Sequence, residues 1–190
     1  MLPRLPARSL KRRIKTVIPA KGQRQHRVGL ISGCVMNEMF THINVATVNV
    51  LTRNGCEVVV PDRQTCCGAL QMHSGERETA EDLARRNIDA FEQAEVDVVI
   101  INAAGCGAQL KEYEELLEND PEYRDRAKAF TEKVKDISEF LDEISLDETL
   151  GRVEARVAYH DACHLAHGQQ VREQPRTLLG KIPGIELVEL

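Results

Sequence analysis

The sequence has no tryptophan, and aromatic residues make up only 4% of its 190 positions. That scarcity argues against the stacking platforms on which single-stranded nucleic acids lie. No apolar run approaches the roughly 18 residues of a membrane span, so the chain is expected to be soluble. Positive charge is not in excess: 25 Lys and Arg stand against 30 Asp and Glu, a net of −5. This balance argues against gripping nucleic acid or an anionic membrane as the main task. Six cysteines are too few for a disulfide scaffold, and no two of them form the C-x-x-C knuckle usual at structural zinc.

What is there begins with an asymmetry. Met1 to His26 carries eight Lys and Arg and no acid, which leaves the other 164 residues with 17 basic and 30 acidic positions. Pro3, Pro6 and Pro19 interrupt this segment, and it has no long apolar stretch of the secretory kind. It reads as a basic linker or docking arm, 1–26, with an organelle transit peptide as the alternative.

From Arg27 the pattern is regular. Apolar strands are expected at Val28–Ile31, Glu57–Val60, Asp97–Ile101, Arg156–Tyr159 and Ile185–Leu190. Between them, helices are expected at Glu38–Arg53 (closed by Asn54-Gly55), from Gly68 through Ala94, over Ala108–Ile144, and at Gln170–Leu179. In the third of these, Phe130, Val134, Ile137, Phe140, Leu141 and Ile144 fit a stripe of helical period. Alternating strands and helices imply an α/β fold with a mostly parallel open sheet and flanking helices.

A shift of 129 residues superposes Arg27-Val28 on Arg156-Val157, Cys34 on Cys163, Gly55 on Gly184, Glu57 on Glu186 and Val59 on Val188. Two pseudo-repeats are therefore expected, 27–150 and 151–190. The second is incomplete, because the counterpart of Cys66-Cys67 falls at positions 195 and 196. The chain on this reading is a fragment.

Cys34, Cys66, Cys67 and Cys106 each follow the C-terminal end of an expected strand. In an open parallel sheet those ends share the edge at which ligands bind, so four cysteines distant in sequence converge. Each precedes a helix whose positive end is expected to favour thiolate. Thiolate coordination of something large and anionic, best an iron–sulfur cluster, is the chemistry implied. Structural zinc, disulfides and plain core packing are the alternatives; core packing is the preferred reading of Cys56 alone. In His160-Asp161-Ala162-Cys163-His164, Cys163 reads as the first metal ligand of the interrupted second repeat. The alternative is a nucleophile with His160 or His164 as its base. His73 and His167 carry no assignment beyond a surface or hydrogen-bonded role.

These residues resemble a known pattern. Ser32-Gly33-Cys34-Val35-Met36, the stretch Val48 to Pro61, Cys66-Cys67-Gly68-Ala69-Leu70, Asn102 to Ala108 and Tyr159 to Gln169 are similar to the CCG cysteine-rich repeat. That repeat occurs in heterodisulfide reductase B subunits, anaerobic glycerol-3-phosphate dehydrogenase C subunits, lactate-utilisation proteins and, most like these blocks, glycolate oxidase iron–sulfur subunits. The resemblance covers Arg27 to Leu190. It implies an electron-transfer subunit of an oxidoreductase that turns glycolate into glyoxylate. Electrons would pass from flavin-containing partner subunits to an acceptor through a [4Fe-4S] cluster held by Cys34, Cys66, Cys67 and Cys106. A lactate-utilisation or heterodisulfide-reductase-like subunit is the nearby alternative. The family's general repeat follows CCG with C-x-x-C, whereas Ala103 stands at the first of those positions and only Cys106 remains. Ferredoxin-like domains that full-length subunits carry before the first repeat are missing from this chain. The implied location is cytoplasmic, at the inner face of the membrane only through partners.

Overall fold

The computed structural model of the chain describes residues 15–144, 146 and 150–189. The first fourteen residues of the expected basic arm, and Leu190 of the expected last strand, lie outside the described residues. The rest of the arm is not simply a linker. Its Val17–Ile18 forms an edge strand, β1, antiparallel to β3 (Cys56–Val59), with Val17 opposite Val59.

The centre of the fold is β2 (His26–Leu30), flanked in parallel by β3 and by β4 (Val98–Ile101). A short β5 (Val134–Asp136) continues the sheet beyond β4, giving the order β1-β3-β2-β4-β5. Successive residues of these strands point to opposite faces, and both faces are covered, as an apolar parallel sheet requires. On one face, Ile31, Val59, Val99 and Ile101 pack against Ala80, Ala84, Ile88 and Phe91 of α4 (Arg77–Gln93) and against Tyr113 and Phe130. On the other, Val28, Leu30, Val58 and Ile100 pack against Val48 and Leu51 of α2 (Thr41–Arg53) and Phe140 of α8 (Ile137–Glu143). Cys56 is fully buried in this second layer, the core role expected of it.

Several helices are shorter than their patterns suggest. A five-residue α1 (Val35–Met39) precedes α2, and another, α3 (Ala69–His73), precedes α4. The expected long helix over 108–144 is α5 (Ala104–Lys111), α6 (Tyr113–Leu116), α7 (Arg124–Thr131), then β5 and α8. Asp136 ends β5 and caps α8: its side chain accepts from Ser138 N at 2.8 Å, and Glu139 accepts from Asp136 N. This capping box satisfies helix amides that a continuous helix would never have exposed.

The expected single sheet is in fact two. β6 (Ala155–Tyr159) and β7 (Ile185–Glu189) pair in parallel with each other alone among the described strands. Between them run a π-helical turn, His164–Gly168, and α9 (Glu173–Gly180). The two-stranded unit rests on the larger one where the π-turn meets α5 and α9 meets α8. No helix among the described residues is long and apolar enough to cross a membrane.

Candidate thiol-rich metal centre

Three strand-end loops deliver the cysteines to one edge. Cys34 follows β2 and directly precedes α1, Cys66 and Cys67 lie between β3 and α3, and Cys106 sits in the first turn of α5. Gly68, directly after the pair, has φ +85°, a left-handed conformation that glycine adopts without steric penalty. It turns the chain from Cys67 into α3.

Buried polar side chains fix these loops, and none of them was visible as a site residue in the sequence. Gln64 accepts from Ser32 N at 2.8 Å and donates to Leu30 O at 3.1 Å, which binds the loop after β3 to the end of β2. Asn44 of α2 donates to Ser32 O, and Asn102, at the end of β4, donates to Asn44 Oδ1 and Thr47 Oγ1. Beneath the cysteine pair, Asn87 of α4 accepts from Thr65 N at 2.8 Å and donates to Cys66 O at 3.0 Å. It also donates to the Tyr113 hydroxyl, which donates onward to Cys67 O at 2.9 Å. Asn87 and Tyr113 are fully buried, where such groups are stable only when paired. They are, and the carbonyls of both cysteines are thereby held.

Cys34, Cys66, Cys67 and Cys106 are all free thiols and come together. Cys34 Sγ lies 3.7 Å from Cys66 Sγ. The four interact in series, Cys34 with Cys66, Cys66 with Cys67, and Cys67 with Cys106. Backbone N–H groups of Val35, Gly68 and Ala69 reach the sulfurs of Cys34, Cys66 and Cys67.

The expectation that helix ends favour thiolate throughout is corrected here. Burial, then the neighbouring Cys66 thiol, raises Cys34; donation to Cys67 raises Cys66; donation to Cys106 pushes Cys67 up to about 12. Only Cys106 is lowered, and its first cause is the hydrogen bond from Cys67. α1 and α3 have five residues each, too few aligned peptides to build a strong dipole, so desolvation and the crowding of thiols win. Of the four, Cys106 is the thiol that ionises most readily. Among the described residues, no three His, Cys, Asp or Glu side chains are gathered to hold a single metal ion.

Cys163 lies in the two-stranded unit, between β6 and the π-turn. It is exposed at the start of the π-turn, 3.5 Å from His164 Nδ1. Its neighbour Asp161 is engaged by Arg176, at 2.9 and 3.0 Å. His164 lies across from His73 of α3, with ring centroids 6.2 Å apart. The joint beside it is keyed: the Gln169 side chain lies over Gly107 and donates to Ala104 O at 2.9 Å. A Cβ at residue 107 would sit 2.3 Å from Gln169 Nε2.

Cys56 differs from the others in reactivity as well as place, since burial pushes its thiol up to about 11. Iodoacetamide on the folded, metal-free protein should label exposed Cys34 and Cys163 and reach Cys56 only after denaturation. Mass spectrometry of the digested protein reads this directly, and labelling of Cys56 at the rate of Cys34 would remove it from the core.

A family model described as CCG, a cysteine-rich domain, matches residues 28–111 and again 157–190. The chain is 44% identical over 193 residues to a probable glycolate oxidase iron-sulfur subunit of Bacillus subtilis, spanning 100% of this chain and 43% of that protein. It is 40% identical to a fumarate reductase (CoM/CoB) subunit of Methanothermobacter marburgensis, over 86% of this chain and 31% of that one. With lactate utilization protein A of Geobacillus sp. (strain WCH70) it shares 33% identity, over 86% of this chain and 68% of the relative. It therefore spans less than half the length of the first two and about two thirds of the third. Two matches to the CCG pattern fall on the elements that carry Cys34, Cys66, Cys67, Cys106 and Cys163, and the chain belongs to the CCG cysteine-rich domain family.

Proposed function

We propose that this chain is an iron–sulfur electron-transfer part of a glycolate oxidase-type oxidoreductase, with Cys34, Cys66, Cys67 and Cys106 holding one [4Fe-4S] cluster. The observation that carries the reading is the convergence of four free thiols from three strand-end loops. The donor set fits: sulfur is the soft ligand such clusters take, and backbone N–H groups at the sulfurs are among the interactions that tune them. The bound cluster would supply one-electron chemistry. The chain's own residues would give up thiol protons, keep the loops in place through Gln64, Asn87, Asn102 and Tyr113, and leave Cys34 open at the surface.

Substrate chemistry belongs, on this reading, to flavin-containing partner subunits that oxidise glycolate to glyoxylate. The relatives' names support an oxidoreductase role, and the same site would serve a lactate-utilising or disulfide-reducing complex. The residues from 151 on are a second, shorter copy of the motif, with Cys163 the counterpart of Cys34. Supporting this, β6 and β7 pair in the register of β2 and β3: Arg27 lies opposite Glu57 and Arg156 opposite Glu186, each an ion pair. Gly55 and Gly184, which precede the two second strands, are both left-handed.

Anaerobic reconstitution with ferrous iron and sulfide tests the proposal. It should give a brown protein with about four iron and four acid-labile sulfide per chain. A colourless product holding one zinc and no iron would sink it. A second reading, a thiol-dependent enzyme using Cys163, has the 3.5 Å contact with His164 in its favour. Against it, Asp161 serves Arg176 rather than the imidazole. Rapid, saturable acylation of Cys163 by an activated ester would favour it.

A further inference from the structure

Cys34 Sγ and Cys66 Sγ are 3.7 Å apart, in contact but unbonded. A disulfide needs about 2.05 Å between sulfurs, so the pair must close by less than 2 Å. Cys34 is exposed and directly precedes a one-turn helix, while Cys66 is half-buried in a loop. The other pairings are worse placed. Cys66 and Cys67 are adjacent in sequence, and a disulfide between them would close a strained small ring. Cys67 is 4% exposed and Cys106 only half-buried, so an oxidant meets exposed Cys34 before either of them.

We propose that Cys34 and Cys66 form a reversible disulfide in the metal-free protein, a redox latch that removes two of the four thiols until it is reduced. The inference rests on the reading of these thiols as the ligand set. The oxidant is a low-molecular-weight aliphatic disulfide. Cys34 thiolate attacks one of its sulfurs, forming a mixed disulfide and releasing one small thiolate. Cys66 thiolate then displaces the second. The small disulfide gains two electrons and the two protons leaving the cysteines, and becomes two thiols; the Cys34–Cys66 bond is the only one gained by the protein. Exposure sets the order: Cys34 is the residue the oxidant reaches, and Cys66 resolves.

Metal-free protein, prepared with chelator and reductant and then desalted, is incubated with oxidised glutathione, alkylated, digested and mapped by mass spectrometry. Two free thiols per chain should be lost to a crosslink that joins the peptide of Cys34 to that of Cys66, apart from any glutathione adduct on exposed Cys163. Cys67→Ser should keep the crosslink, whereas Cys66→Ser should stop at a glutathione adduct on Cys34. A crosslink elsewhere, an adduct on Cys34 that wild type never resolves, or six thiols surviving would each overturn the latch. Dithiothreitol should restore six thiols and, with them, iron uptake. Crosslinking without iron uptake in the reduced protein would leave the latch standing and remove the cluster reading instead.

Discussion

Replacing any one of Cys34, Cys66, Cys67 or Cys106 with serine should cut the iron taken up in anaerobic reconstitution from about four atoms per chain to below one. A serine oxygen is a harder and far less acidic donor than a thiol, and a four-ligand site has no spare sulfur among its own members. Cys163→Ser should leave the count unchanged, because its sulfur makes its contact with His164 rather than with the four. Cys56→Ser should also retain iron, while losing stability through a hydroxyl placed in a fully buried apolar layer. Iron and sulfide analysis on folded variants decides the matter, and equal losses from Cys56→Ser and Cys106→Ser would undo the ligand assignment. Uptake should also rise with pH, since the Cys34, Cys66 and Cys67 thiols hold their protons above the usual thiol value. The metal-free protein runs the other way. Those thiols bind protons more tightly folded than unfolded, so their contribution is complete below about pH 8.5 and is lost as pH rises above it, for Cys67 through about 12.

The second large effect lies one layer below. Asn87→Leu keeps the volume but leaves Thr65 N, Cys66 O and the Tyr113 hydroxyl each short of a partner. A buried unsatisfied group costs about 1–3 kcal/mol, so the variant should lose about 3 kcal/mol. In a chain of this size that lowers the melting temperature by about 6–12 °C. Tyr113→Phe removes the donor to Cys67 O and one acceptor of the Asn87 amide, which keeps its bond to Cys66 O, and should cost about 1–2 kcal/mol. Because both act on one network, the double variant should be less destabilised than the sum. Thermal unfolding of the four metal-free proteins measures this. A loss under 1 kcal/mol for Asn87→Leu would show that the cysteine loop is held by packing alone.

Much of this was legible in the chain. Val28–Ile31, Val58–Val60 and Val98–Ile101 are apolar runs too short for helices, and they are the heart of the sheet. Placing each cysteine just after such a run was enough to bring Cys34, Cys66, Cys67 and Cys106 to one edge. The region 108–144 departs from its pattern because Phe130, Val134, Ile137 and Phe140 satisfy a helical period while belonging to α7, β5 and α8 in turn. Three-residue strands carry too little pattern to announce themselves. The signals that divide the region were present: Asp120-Pro121 breaks it, and Asp136 with Glu139 starts a new helix. Asn87 was invisible for a different reason. Amid the charged residues of α4 it looks like solvated surface, and only the three-dimensional fold turns it toward the backbone of Cys66. Gln64, Asn44 and Asn102 share that fate, because hydrogen bonds between loops have no period.

The two-stranded sheet has a bearing on how the molecule behaves in company. A parallel pair such as β6 and β7 presents two outer rows of peptide donors and acceptors, and no strand among the described residues lies along either. Extended chain of any origin finds there a template whose rungs are already spaced for it. Among the described residues, the flanks of β6 and β7 are therefore where an added strand would pair, while Arg156 and Glu186 face each other across the two strands.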